Sequence, residues 1–164
     1  MRSNKTATLS QKIIEKIDLA LEKFPHNQRR SAVMPALTIT QDAHNGSLTP
    51  SLIDAVADYL RIPRIAAYEV ATFYSMYELR PVGRHKICVC TNISCMLCGS
   101  DDIVSYLKKK LGVNFGETTQ DGKFTLKQVE CLAACGGGPM MQIGDQYYED
   151  LTPKKIDIIL TSLE

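Results

Sequence analysis

Apolar positions in the first eighty residues recur every three or four places, the spacing of one face of a helix. Ile13, Ile14, Ile17, Leu21 and Phe24 share a side of residues 10–24 (SQKIIEKIDLALEKF), with Ser10 placed to cap the start. A second helix is expected over residues 29–45, kinked or broken at Pro35, because proline removes a backbone donor and crowds the preceding turn. Residues 44–50 (HNGSLTP) read as a turn. Thr49 and Pro50 then supply the N-cap and first residue of a third helix, which buries Ile53, Val56, Ala57 and Leu60. Pro63 opens a fourth segment, residues 62–77 (IPRIAAYEVATFYSMY). Its aromatics Tyr68, Phe73, Tyr74 and Tyr77 fall at helical spacing and read as core or as the cover of a second subunit rather than as a cofactor box.

The pattern changes at Arg80-Pro81-Val82-Gly83, the expected boundary between a helical part (1–80) and a second part (81–164). In residues 85–91 (HKICVCT) the alternation of Ile87 and Val89 against Cys88 and Cys90 predicts a strand. From Ser100, a candidate cap, Asp101 and Asp102 suit the positive first turn of a helix whose apolar stripe is Ile103, Val104, Leu107 and Leu111 and which Gly112 ends. Residues 124–130 (FTLKQVE) alternate as a second strand. Residues 140–149 (MMQIGDQYYE) predict a hairpin turning at Gly144-Asp145. Residues 152–163 close the chain as a helix capped by Thr152. Strand, helix, strand, hairpin, helix describes a small α/β layer behind a helical N-terminal part.

The totals narrow the function classes. The 164 residues are 45% hydrophobic and 23% charged with a formal net charge of +1, a globular composition that gives no reason to expect nucleic-acid binding. The basic run Lys108-Lys109-Lys110 sits at a predicted helix end, where cations suit the dipole. No apolar stretch approaches the ~18 to 20 residues of a membrane span. Residues 1–9 (MRSNKTATL) lack the apolar core of a secretory signal and are short for a transit peptide. The expected compartment is therefore reducing cytosol, where clustered cysteines point to metal or redox chemistry.

Six cysteines carry that chemistry. Residues 88–100 (CVCTNISCMLCGS) hold four, and Cys131 and Cys135 follow. Several groupings compete. Cys90, Cys95 and Cys98 match plant-type ferredoxin spacing with one distant ligand. Cys95 and Cys98 alone could be half a zinc site or a redox dithiol. The third grouping couples Cys90-x4-Cys95 with Cys131-x3-Cys135. A two-iron cluster needs two thiolates at each iron, and each of these pairs follows a predicted strand, so both loops can meet at one end of a shared sheet. Gly136-Gly137-Gly138 would let backbone approach and offer amides towards sulfur. Cys88 and Cys98 then behave as small hydrophobes. This grouping explains most, while the others stay open on the residues alone.

Residues 89–95 (VCTNISC), 97–100 (LCGS), 115–124 (FGETTQDGKF), 129–135 (VECLAAC) with Pro139, and 67–74 (AYEVATFY) together resemble one family: the small [2Fe–2S] protein of respiratory complex I, the E subunit of bacterial NADH–quinone oxidoreductases. The resemblance runs from about Ser10 to the C-terminus. It implies a thioredoxin-like [2Fe–2S] ferredoxin domain behind an N-terminal helical bundle, a mixed α+β or α/β fold. It also implies one [2Fe–2S] cluster on Cys90, Cys95, Cys131 and Cys135. Members commonly have glycine where this chain has Ala133 and alanine where it has Gly138, and the position of Cys98 is often another residue.

No G-x-G-x-x-G follows a strand and no Walker loop is present, so FMN and NADH are expected only on a partner. The resemblance implies that partner, a flavoprotein subunit binding both, along with the other peripheral-arm subunits of complex I. It places the chain peripherally at the cytoplasmic face of the inner membrane, without a span of its own. The expected role is exchange of single electrons with FMN. Alternatives are the diaphorase subunit of an NAD-linked hydrogenase or formate dehydrogenase, or a zinc-stabilised binding module. His26, His44 and His85 form no ligand spacing, and Asp101-Asp102 reads as a helix start rather than a catalytic dyad.

Overall fold

A computed structural model describes residues 7–163, so most of the amino-terminal stretch read for targeting lies outside the described residues. The chain divides into two compact units, Met1–Pro81 and Val82–Glu164.

The first unit is helical: α1 (Gln11–Leu21), α2 (Val33–Ala43), α3 (Pro50–Leu60) and α4 (Arg64–Phe73). Its core joins the expected Ile17, Ile53, Val56 and Leu60 with Leu37 and Leu48, all almost wholly buried. The Thr49 hydroxyl accepts from the Leu52 N–H, and Pro50 stands first in α3, as its missing donor allows. The expected break at Pro35 does not occur. Residues Arg29–Ala32 form a 3-10 turn and α2 begins after it, so Pro35 falls in the first helical turn, where no backbone donor is needed. Arg64 clamps α3 to the start of α4 through Asp54 at 3.2 Å and Asp58 at 2.7 Å. The aromatic segment splits in fate: Tyr77 is buried and donates to the Met34 carbonyl, whereas Phe73 is 81% exposed.

The second unit is a four-stranded sheet, β1 (His85–Cys90), β2 (Phe124–Val129), β3 (Met141–Ile143) and β4 (Gln146–Tyr148), with α5 (Ile93–Leu97), α6 (Ser100–Leu111) and α7 (Pro153–Ser162). Strand order is β2-β1-β3-β4. β1 and β2 run parallel, joined through α5 and α6, while β3 is antiparallel to β1 and to β4. The hairpin turns at Gly144-Asp145 as the sequence predicts. Ile87, Val89, Leu126, Met141 and Ile143 cluster with Ile103 and Leu107 of α6 and Ile156 and Ile159 of α7. Ser100 does not cap α6. Gly99, at φ 92°, holds that position, and Ser100 is the first helical residue, its hydroxyl buried without a hydrogen-bond partner among the described residues. Among the described residues no helix is long and apolar enough to cross a membrane.

Candidate metal centre

Parallel pairing of β1 and β2 decides where the cysteines go. Cys90 ends β1 in register with Val129, which ends β2, so both chains leave the sheet at the same edge. The Thr91 N–H donates to the Val129 carbonyl at 3.0 Å and prolongs that contact one step beyond the strands. From this edge the first loop turns into α5, a short helix the sequence pattern does not predict, which carries Cys95 with Asn92 as its cap. The second loop carries Cys131 and reaches a 3-10 turn at Cys135–Gly137.

The two loops touch. Cys90 Sγ lies 3.3 Å from the carbonyl oxygen of Glu130, the residue before Cys131, and donates to it. The Cys90 N–H donates to Met140 O at 3.1 Å, and Cys90, Cys95 and Met140 form a small buried cluster edged by Leu132 and Ala134. Cys90 and Cys95 are each 2% exposed, whereas Cys131 and Cys135 are exposed. Burial, then the adjacent Cys90 sulfur, pushes the Cys95 thiol up to about 11, with Cys135 adding in the same direction and a backbone contact to Met140 opposing it. A thiol so placed ionises when a positive centre such as a metal ion compensates it. None of the six cysteines is in a disulfide.

Backbone conformation supports the second loop. The Ala133 N–H points at Cys131 Sγ, 3.4 Å away, the kind of amide donor a sulfur-bound anionic centre uses. Ala133 reaches that position at φ 59°, in the left-handed region that glycine occupies without steric cost. A side chain at Gly138 would meet Cys95 Sγ and both Cys98 Cβ and Cys98 Sγ at 3.5 Å, ordinary contact, so the glycine segment lies directly against the first loop. Cys98 is exposed at the end of α5, and its sulfur lies close to this same point. Cys88 lies within β1, two residues before Cys90 and on the same face of the sheet.

Four soft donors thus arrive as two pairs on touching loops, one pair shielded from water and the other carrying an amide aimed at sulfur. This donor set fits a two-iron cluster. Among the described residues, no three of His, Cys, Asp and Glu converge tightly enough to hold a single metal ion. The histidines lie elsewhere: His44 Nδ1 meets the Thr40 carbonyl at the end of α2, and His85 packs on Phe124 at the start of β1, where burial first, then Arg84 and Lys123, lower its pKa. An open cleft of about 1080 Å³ lined by Lys110, Val113, Thr119, Phe124, Asp157 and Leu160 lies by the start of β2, the strand end opposite the cysteines.

Sequence reasoning missed the short helix, the left-handed Ala133 and the buried floor of Met140. Only Ala133 carried a signal, since glycine at that place in the resembling family marks a positive φ.

Comparison with known proteins agrees with this class of fold. The family model described as thioredoxin-like [2Fe-2S] ferredoxin matches residues 17–164. The E subunit of NADH-quinone oxidoreductase from Rickettsia conorii is 46% identical over 157 residues, covering 96% of this chain and 94% of the relative. The E 2 subunit of the same enzyme from Rhizobium meliloti is 45% identical over 148 residues, covering 90% and 86%. An NAD+-reducing [NiFe]-hydrogenase in its H2-reduced state shares the fold at a TM-score of 0.66 and 16% identity, over 77% of this chain and 22% of that one. The chain belongs to the thioredoxin-like [2Fe-2S] ferredoxin family and, within it, to the E subunits of NADH-quinone oxidoreductase.

Proposed function

We propose that Cys90, Cys95, Cys131 and Cys135 hold one [2Fe–2S] cluster, and that the chain exchanges single electrons with FMN on a partner flavoprotein subunit. The observation that carries the reading is the exit of two cysteine pairs from the same edge of adjacent parallel strands. When bound, such a cluster supplies a centre that takes up and returns one electron with little rearrangement. The chain's own residues do the rest. Cys90 and Cys95 hold their sulfurs in a pocket floored by Met140, away from water. Ala133 directs an N–H at Cys131 Sγ, which steadies the negative charge of a thiolate.

Ile93, at 67% exposure, and Leu97, at 79%, flank Cys95 with Met96 on α5 and leave apolar surface beside the cysteines. Such a surface suits a close partner, as electron exchange requires. Membership among the E subunits supports a setting in the peripheral arm of complex I, on the cytoplasmic side. The likeness to a hydrogenase is one of fold, and the subunits that co-purify with this chain distinguish the two settings.

Serine substitution of each cysteine, with iron and acid-labile sulfide counted per chain, tests the ligand set. Iron is expected to fall for Cys90, Cys95, Cys131 and Cys135 and to persist for Cys88 and Cys98. Loss at Cys98 with retention at any of the four overturns the set, and a single zinc without sulfide overturns the cluster. In the purified complex, the electron paramagnetic resonance signal of this cluster after NADH addition should vanish in C90S. A complex in which the cluster stays oxidised with NADH, although its measured midpoint potential lies above that of the NAD+/NADH couple, ends the proposed exchange with FMN.

A further inference from the structure

None of the glycines in the run Gly136–Gly138 has a positive φ, but one of them has no room for a side chain. Gly137 is outside the positive-φ region, yet a Cβ there would lie 2.5 Å from Glu149 Oε2, 2.6 Å from Glu149 Cβ and 2.7 Å from Glu149 Cδ. The space is taken by one side chain: Glu149 lies over Gly137, its carboxylate against the loop backbone.

The segment carrying Glu149 is fixed to that loop. The Asp150 N–H donates to Gly137 O at 2.8 Å, and the Leu151 N–H donates to Pro139 O at 2.9 Å. Asp150 takes φ 46°, a left-handed turn that aspartate tolerates better than most residues. Lys155 Nζ donates to the Glu149 backbone carbonyl, which ties the same segment to the start of α7. Gly137 stands two residues after Cys135, and the next residue, Gly138, would bring a Cβ to 3.5 Å from Cys95 Sγ. One peptide unit, about 3.8 Å between Cα atoms, therefore separates the residue under the carboxylate from the residue against Cys95.

We propose that Glu149 sets the charge at the cysteine loops: its carboxylate, seated over Gly137, holds the reduction potential of the bound cluster down. The inference rests on the [2Fe–2S] reading above. Reduction adds one negative charge to an already anionic centre, and potential follows local charge and hydrogen bonding. A fixed carboxylate opposes that added charge and favours the oxidised state. Asp150 adds a second negative charge on the same segment, and Lys155 a positive one bound to its backbone. Glu149 differs in being pressed onto the loop itself, and Gly137 is the residue that admits it.

The test uses the full chain reconstituted anaerobically with iron and sulfide, in the native sequence and as E149Q, E149D and G137A. Iron and sulfide are counted first, and the midpoint potential is then read by titration followed with electron paramagnetic resonance. E149Q is expected to hold the same cluster at a higher potential, and E149D to stay near the native value. G137A keeps the charge but pushes it off the loop, and should shift upward by less than E149Q. A fully loaded E149Q with an unmoved potential overturns the proposal, as does an equal shift in E149Q and E149D. If E149Q fails to load, G137A decides, and an unmoved potential there overturns it. If both fail while E149D loads, the carboxylate's seat on the loop is supported; if E149D fails as well, the charge role is refuted. Absence of sulfide-containing cluster in the native chain defeats the cluster reading itself, an outcome visible before any potential is measured.

Discussion

The two cysteine loops leave neighbouring strands at one edge, but they are built in opposite ways. The first is closed: Cys90 and Cys95 sit in a small apolar pocket, one at a strand end and one on a helix, both almost sealed from water. The second is open: Cys131 and Cys135 are exposed on backbone with a left-handed alanine, three consecutive glycines and an overlying carboxylate. Burial removes water from thiols at the cost of making them hard to ionise, while exposed backbone leaves amides and charges free to act on sulfur. On the proposed reading, the closed half would hold the metal centre in place and the open half would adjust it.

The widest gap between the halves should appear in thiol chemistry. With the Cys95 thiol near 11, only about one in a thousand is thiolate at pH 8. In the iron-free chain, iodoacetamide should label Cys131 and Cys135 well before Cys95. The Cys95 rate should rise about tenfold per pH unit between pH 7 and 10, because its folded pKa lies above that window. Peptide mass spectrometry reads both, and equal rates in the two loops would break the comparison. Next in size, Met140→Ala removes the floor of the closed pocket, where Met140 is 1% exposed. A cost of about 2–5 kcal/mol is expected, read as a lower urea midpoint.

Smaller effects belong to the open loop. Ala133→Gly relieves a left-handed φ of 59° and should raise stability by about 1 kcal/mol at most, partly offset by glycine's greater unfolded freedom. An unchanged or lower urea midpoint would mean that the alanine is not strained there. Gly138→Ala is expected to gain about 0.5 kcal/mol. Gly138 has φ −71° and ψ 148°, and a methyl would meet Cys95 and Cys98 at ordinary contact distance. A clear loss of stability would show that the open loop must come closer to Cys95 than this.

Much of this architecture was legible because it depends on local pattern. Helical spacing marked α1, α3, α6 and α7, alternation marked β1 and β2, and Gly144-Asp145 marked the hairpin turn. Thr49 and Thr152 capped as read, since a hydroxyl before a proline-started helix needs only its own next residues. Pro35 was misread because its effect depends on whether it falls inside a helix or in its first turn, and the preceding 3-10 turn settles that. Ser100 was misread because Gly99 takes a left-handed cap without the steric cost serine would meet there, which moved the helix start by one residue.

The sequence by itself determined which residues could bind metal, that Cys90-x4-Cys95 with Cys131-x3-Cys135 is one of the groupings they allow, and that a strand leads into each of those pairs. These are properties of residue type and short-range order. Tertiary structure alone decided that β1 and β2 pair in parallel, and so bring both loops to one edge. It also decided that Cys90 and Cys95 are sealed while Cys131 and Cys135 stay open, and that Glu149 lies over Gly137. Burial and close approach come from segments far apart in the chain meeting in space, and local sequence pattern carries no record of which segments will meet.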